Sequence, residues 1–526
     1  MPRDLKADQE MLRTVLAHAE RRDIPRAAAI AEEALSSGFE HPLLLNVVAT
    51  RLELDGKLED ALRLLERASR LAPEDIGVRN ALSLCLQRLG RPGEALHHVD
   101  KLLNAHPGLG FAHANKGNAL IALGALDKAK QSHLQALELD PGNLAAQGAL
   151  ASIATHRGDH DEARAWARKV LSKVPGFPDA VLSLAAAELA GGSTDSAQML
   201  ICQLLADPRT GPAEKARANG LLGDVLDAAG RCTEAFDAYA ACNEALLQVH
   251  RRFAEGSSIL SYTESVIAAM LQVEPRRWNP GPPPCLSAAG TIGHVFLLGF
   301  PCSGTTLLEV ALEGHPRIAS IDADELLRPG VLRFMPEPLD FAPLLRADEA
   351  VLQELRAAYW RQARDSGTEL DGKVFVDKHP LNTLKLPLIA RLFPNAKILF
   401  ACRDPRDVVL SCFRRRFNMN PAMYQLLTLN GGAAFYDAAM RLAGQARPLL
   451  GLDWQDVRYE CLVEDPAQQL HSVCDFLGLE WVQDLDNVAA RGLESSGIGQ
   501  WHHYRAALEP ILPVLSPWVQ RFGYGA

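Results

Sequence analysis

Alanine returns at a fixed interval through the first half of this chain. It stands at Ala27, Ala61, Ala95, Ala129, Ala163 and Ala197, each 34 residues after the last, and again at Ala235 after 38. Five residues earlier stand Gly56, Gly90, Gly124, Gly158, Gly192 and Gly230, with Arg22 in that place in the first unit. Proline keeps the same interval at Pro73, Pro107, Pro141 and Pro175, with Pro208 one residue early. This period fits a pair of helices: glycine ends the first, alanine lets the second approach closely, and proline follows the end of the second. Such a pair cannot bury its apolar face alone, so the units must stack. Residues 8–245 are therefore expected to form an α superhelix of about seven hairpins with a concave groove.

The pattern resembles the tetratricopeptide repeat, whose grooves commonly hold peptides. The resemblance implies a binding or scaffolding role for this half and leaves its ligand open. His97, His98 and His113 are candidates to face the groove, and equally to be surface or packing residues.

After the repeats, residues 246–253 lead into a helical pattern through Ile259, Tyr262, Val266 and Met270. A proline- and glycine-rich stretch follows at 279–293, which cannot continue a helix. Residues 246–291 are read as a connector and 292–526 as a second domain. The net charge of −10 argues against bulk nucleic-acid binding. Ten cysteines without a CxxC pair fit free thiols and a reducing cytoplasm. No apolar leader or long apolar run is seen, so neither an export signal nor a membrane span is expected.

The second domain opens on an apolar run, Val295 to Leu298, then turns through Gly299 and Gly304 into the helical pattern from Thr305 to Leu312. A strand, a glycine turn and a helix N-terminus aim backbone N–H groups at one point, which suits a phosphate. The glycine spacing is that of the nucleotide-triphosphate loop, but Thr305 stands where that motif has lysine. Ser303, Thr305 and Thr306 supply neutral hydroxyls instead, suited to a phosphate that is held but not transferred. Residues 397–402 and 373–378 read as further strands, ending beside Arg403 and at Lys378. Asp404 is placed to cap a helix opened by Pro405. Strands alternating with helices imply an α/β domain with a mostly parallel sheet and a P-loop-like phosphate site, its ligands at the carboxyl ends of the strands.

FPCSGTTLL, VDKHP, CRDPRDVVLS and VRYECLVEDP, in this order, resemble the sulfotransferase family, most closely its tyrosylprotein and bacterial repeat-linked branch. The resemblance implies transfer of a sulfuryl group from 3′-phosphoadenylyl sulfate to a hydroxyl or amine. It assigns Cys302, Ser303, Gly304, Thr305 and Thr306 to the donor's 5′-phosphosulfate. Arg403, Ser411 and the accessory Arg415 fall to the 3′-phosphate, and Tyr459 lies near the nucleotide. Lys378 matches the family's catalytic lysine, which stabilises charge developing on the leaving phosphate. The branch's catalytic glutamate aligns with Ala323, so Asp322, Asp324 and Glu325 are the candidate bases. These acids equally suit the start of a helix, and His379 is a further candidate. Cys302 replaces an arginine of the branch's loop and Gln500 a basic residue near its end, both removing positive charge.

A sulfotransferase without a metal is the leading expectation. Its partners are the nucleotide donor and an acceptor peptide, protein or glycan guided by the groove. A non-catalytic peptide-binding protein with a degenerate nucleotide site is the alternative. A kinase fails on the missing loop lysine.

Overall fold

The structure is a computed structural model and describes residues 5–278, 290–322, 326–491 and 497–525. The chain divides into two compact units, Met1–Leu221 and Leu222–Ala526.

Helical hairpins fill the first unit, beginning with Leu5–Glu20 and Ile24–Ser36. The hairpin Pro212–Ala228 with Cys232–Val249 contains the division between the units. Each periodic glycine sits in the left-handed region, with φ between 72° and 78°, and Arg22 takes the same conformation at φ 60°. All seven periodic alanines are fully buried. Ala72, His106 and Asp140, each preceding a proline, have φ near −138° and end their helices, as proline requires of its predecessor. Of the three histidines, His97 is exposed, and His98 and His113 are half-buried. His113 lies with Nε2 at 2.9 Å from the Pro107 carbonyl.

The second unit is built on a five-stranded, all-parallel sheet in the order β2-β3-β1-β4-β5. The strands are β1 (Gly293–Leu298), β2 (Ile318–Asp322), β3 (Val374–Lys378), β4 (Lys397–Cys402) and β5 (Asp453–Arg458). Alternate residues of β1 feed separate cores. Val295 and Leu297 join Leu308, Leu312, Leu470 and Val473 on one face. Phe296 and Leu298 join a larger core on the other, with Tyr359, Leu388, Val408, Phe435 and Leu515. A sheet covered on both faces explains why β1, β3 and β4 read as continuous apolar runs. The helical pattern expected through Ile259 and Met270 is present as Ile259–Leu271, and its Val266 and Met270 are fully buried in the larger core of the second unit.

Candidate functional site

Every strand of the sheet ends beside a residue that the sequence singles out. In sheet order these are Asp322 on β2, Lys378 on β3, Gly299 after β1, Arg403 after β4 and Tyr459 after β5. The register pairs Asp322 with Lys378 along the backbone. Side chains of residues 322–325 lie outside the described structure, and so do Asp324 and Glu325 as a whole.

The loop after β1 is tightened by its own side chains. The Ser303 hydroxyl donates to the Phe300 carbonyl at 2.6 Å and accepts from the Phe300 N–H at 3.2 Å. The Thr383 hydroxyl donates to the Gly299 carbonyl at 2.8 Å, tying the loop to the turn that follows β3. Neither glycine admits a side chain. A Cβ at Gly299 would fall 2.6 Å from Ser303 Oγ, and one at Gly304, where φ is 97°, would fall 2.5 Å from the Tyr459 ring. Gly304 then caps the helix Thr305–Glu313, whose first turn leaves backbone donors unsatisfied by the helix itself. Thr305 is buried in that turn and Thr306 is exposed.

Arg403 lies under the loop. It donates to the Cys302 carbonyl at 3.2 Å and the Gly497 carbonyl at 2.6 Å, and its guanidinium stands 4.6 Å over the Tyr459 ring. Its Nε is buried with no hydrogen-bond partner among the described residues. The rest of the RDPRD motif holds this arginine's surroundings. Asp404 accepts from the Arg406 N–H at 2.9 Å, capping the helix Pro405–Arg414 as its sequence suggests. Asp407 accepts from the N–H groups of Gly499 and Trp501 at 2.7 and 2.8 Å, which fixes the segment crossing Arg403.

Cys302 has a left-handed backbone, φ 66°. Its thiol is held below the ordinary cysteine range by a hydrogen bond from Cys412, and then by the positive charges of Arg415 and Arg403. Cys412, buried beside it, is pushed up by loss of solvent. Ser411, on the helix Pro405–Arg414, is half-buried, and Arg415, the residue that follows that helix, is exposed. At the other substituted position, Arg414 donates to Gln500 Oε1 at 2.6 Å.

Lys378 is almost wholly buried. Its ammonium donates to Thr306 Oγ1 at 3.3 Å and stands 3.0 Å from Glu309 Oε2. Glu309 and Thr383 are the site neighbours that sequence reading misses. The available sign of Glu309 is a lone acid in the apolar stretch from Leu307 to Leu312, one turn after the paired threonines. Thr383 shows no motif at all. Among the described residues, no group of three or more His, Cys, Asp or Glu side chains is placed to hold a metal ion.

Residues 294–483 match the sulfotransferase family, and residues 52–116 and 114–181 match tetratricopeptide repeats. The chain thus carries tetratricopeptide-repeat matches in its first half and a sulfotransferase-family match in its second. Among its relatives, an uncharacterized protein of Aquifex aeolicus is 23% identical over 72% of this chain, which spans 51% of that protein. Protein-tyrosine sulfotransferase 2 of Gallus gallus is 28% identical over 43% of this chain and 62% of its own length. A putative protein-tyrosine sulfotransferase of Caenorhabditis briggsae is 25% identical over 36% of this chain and 67% of its own. The chain thus spans about half the length of the first relative and about three fifths of the second. A tetratricopeptide repeat protein of Parabacteroides merdae aligns with 45% of this chain and 92% of its own, at 20% identity and a TM-score of 0.38.

Proposed function

We propose that the protein is a sulfotransferase that moves a sulfuryl group from 3′-phosphoadenylyl sulfate to a hydroxyl acceptor, with a peptide or protein tyrosine as the favoured acceptor class. The observation that carries this reading is the convergence of a glycine-cradled loop, a buried lysine and a buried arginine at the carboxyl ends of three adjacent parallel strands. In this reading residues 8–245 form the repeat array that presents the acceptor, 246–291 connect, and 292–526 carry the chemistry. The tyrosine acceptor is suggested by the names of the relatives and by the repeat half.

The donor's chemistry fits what is present. The loop admits no Cβ at Gly304, so backbone N–H groups can come close to an anion, and the helix N-terminus beyond it favours negative charge. Thr305 and Thr306 add hydroxyls. Arg403, with its unused Nε, suits a terminal phosphate monoester, and Ser411 stands on the helix that follows it with Arg415 just past that helix's end. Lys378 meets the bridging oxygen, where charge develops as the sulfur–oxygen bond breaks. The acceptor oxygen attacks sulfur in line. Its proton goes to a carboxylate of the 322–325 cluster, in which Asp322 has the backbone position beside Lys378. Positive charge remains beside one of the substituted positions, from Arg415 at Cys302. That supports a working site over the binding-module alternative.

The test is calorimetric. The protein is expected to bind adenosine 3′,5′-bisphosphate, and Arg403→Ala to weaken that binding by about 10-fold or more, the scale of a lost charge-assisted contact. Binding of the analogue lacking the 3′-phosphate should change little. Equal weakening of both ligands would remove Arg403 from the 3′-phosphate. No binding of either by the wild type would remove the donor site altogether.

A further inference from the structure

A buried carboxylate stands inside a site built for anions. Glu309 lies three residues after Thr306, so the helix Thr305–Glu313 sets both beside Lys378 at the end of β3. The side chains of Lys378 and Glu309 are 4% and 7% exposed, with Nζ and Oε2 3.0 Å apart. An ion pair so poorly solvated is a weak source of stability, because desolvation offsets most of the attraction. Its retention next to a phosphate loop calls for another reason. The pair leaves Lys378 little net positive charge to offer. It also fixes where that charge sits, between the Glu309 carboxylate and the Thr306 hydroxyl, at the helix end that faces the loop.

Resting on the sulfotransferase reading, we infer that Glu309 is a positioning residue that holds the Lys378 ammonium against Thr306 and competes for it with the incoming nucleotide anion. In the free protein the lysine's charge is masked. Donor entry draws the ammonium from Glu309 toward the phosphosulfate, and release of the bisphosphate product returns it. The competing carboxylate weakens the hold on the product and keeps the lysine aimed at the loop between turnovers. The loop thereby acquires a device that the hydroxyls and backbone alone do not provide.

A double-mutant cycle on adenosine 3′,5′-bisphosphate binding tests this without an acceptor. Glu309→Gln keeps the shape and removes the charge, so the bisphosphate should bind several-fold more tightly than to the wild type. Lys378→Met leaves the carboxylate uncompensated and should weaken binding on the order of 10-fold. Adding Glu309→Gln to Lys378→Met should restore most of that loss, and Glu309→Asp alone should stay near the wild type. A purely structural carboxylate predicts the reverse for the single variant, a lower melting temperature with weaker binding, and no rescue in the double variant. Either result overturns the inference while the donor site stands. A wild type that binds no bisphosphate overturns the sulfotransferase reading itself. Should Lys378→Met fail to fold, tighter or weaker binding by Glu309→Gln decides alone.

Discussion

Asp377, the residue before Lys378, shows how one buried proton ties the site to pH. Its carboxyl is pushed up to about 7 by burial, against the opposing pull of Tyr359, Lys385 and Asn382. Tyr359 donates to one oxygen at 2.8 Å and Asn382 to the other at 3.1 Å. His294, held down to about 3 by burial, completes the chain with its Nε2 2.8 Å from the Tyr359 hydroxyl. The ordinary carboxyl value is 3.8, so the folded state keeps a proton that the unfolded chain has already released. This group's contribution is therefore full below about pH 4 and is lost as pH rises to about 7. Asp377→Asn removes the titration, and its amide can donate to the Tyr359 oxygen. Melting temperatures of the two proteins should diverge between about pH 4 and 7 in favour of the variant, by a free-energy change on the order of 4 kcal/mol. Parallel melting curves would show that the carboxyl ionises in place at no cost. The sequence exposes Lys378 and Arg403 because their motifs surround them. It hides the Asp377 network, since His294, Tyr359 and Asn382 come from separate elements. It hides Glu309 for a related reason: only the register of β3 against the loop helix turns a helix-face acid into a lysine's partner.

Elements obey local chemistry most plainly in the repeats, where one substitution tests two different physical effects. Gly124 has φ 75° with open space around its missing Cβ, so Gly124→Ala costs only backbone strain, about 1–2 kcal/mol. Gly117 lies within the helix Gly110–Ala122, where alanine would ordinarily gain about 1 kcal/mol. There, however, a Cβ would fall 2.5 Å from the buried His133 ring. Overpacking of that kind costs about 1–3 kcal/mol, so Gly117→Ala should also lower the melting temperature. The two are separated by a second change. His133→Ala should recover part of the loss at Gly117 and none at Gly124, read by calorimetry of the full chain. The glycines at hairpin turns are legible because φ beyond 60° recurs with the repeat, and Gly117 is not, because its reason is a ring on the next helix. The same contrast separates the strands. β1, β3 and β4 each carry a run of at least three consecutive apolar residues and are expected from sequence. β5, Asp453–Arg458, has a single buried residue, Val457, and lacks the pattern of a strand covered on both faces.

At the scale of the whole molecule, repeat periodicity locates a hairpin without saying which core it joins. The helix Cys232–Val249 carries the periodic Ala235, yet it belongs to the compact unit that begins at Leu222. Within that unit, Asn243 donates to the Phe413 carbonyl at 2.8 Å, and Phe236 stacks on Phe413 at 5.2 Å. Asp227 pairs with Arg414 and accepts from the Tyr504 hydroxyl, and Asp224 accepts from both Tyr239, at 3.0 Å, and Arg416. Phe413 and Arg414 end the helix that starts beside Arg403 and carries Ser411, so this hairpin buttresses the arginine side of the site. A chain beginning at Pro212 keeps the hairpin whole, whereas one beginning at Arg251 strands Arg414 and Arg416 and exposes Phe413. Uncompensated arginines and an opened aromatic contact are together expected to cost about 3–6 kcal/mol, a large share of a domain's stability. The longer fragment should melt cooperatively and bind adenosine 3′,5′-bisphosphate as the full chain does. The shorter one should aggregate or melt far lower, with binding lost. Equal stability and affinity of the two fragments would make the last hairpin a passenger, and would place the limit of the sulfotransferase half where proline and glycine first interrupt the helices.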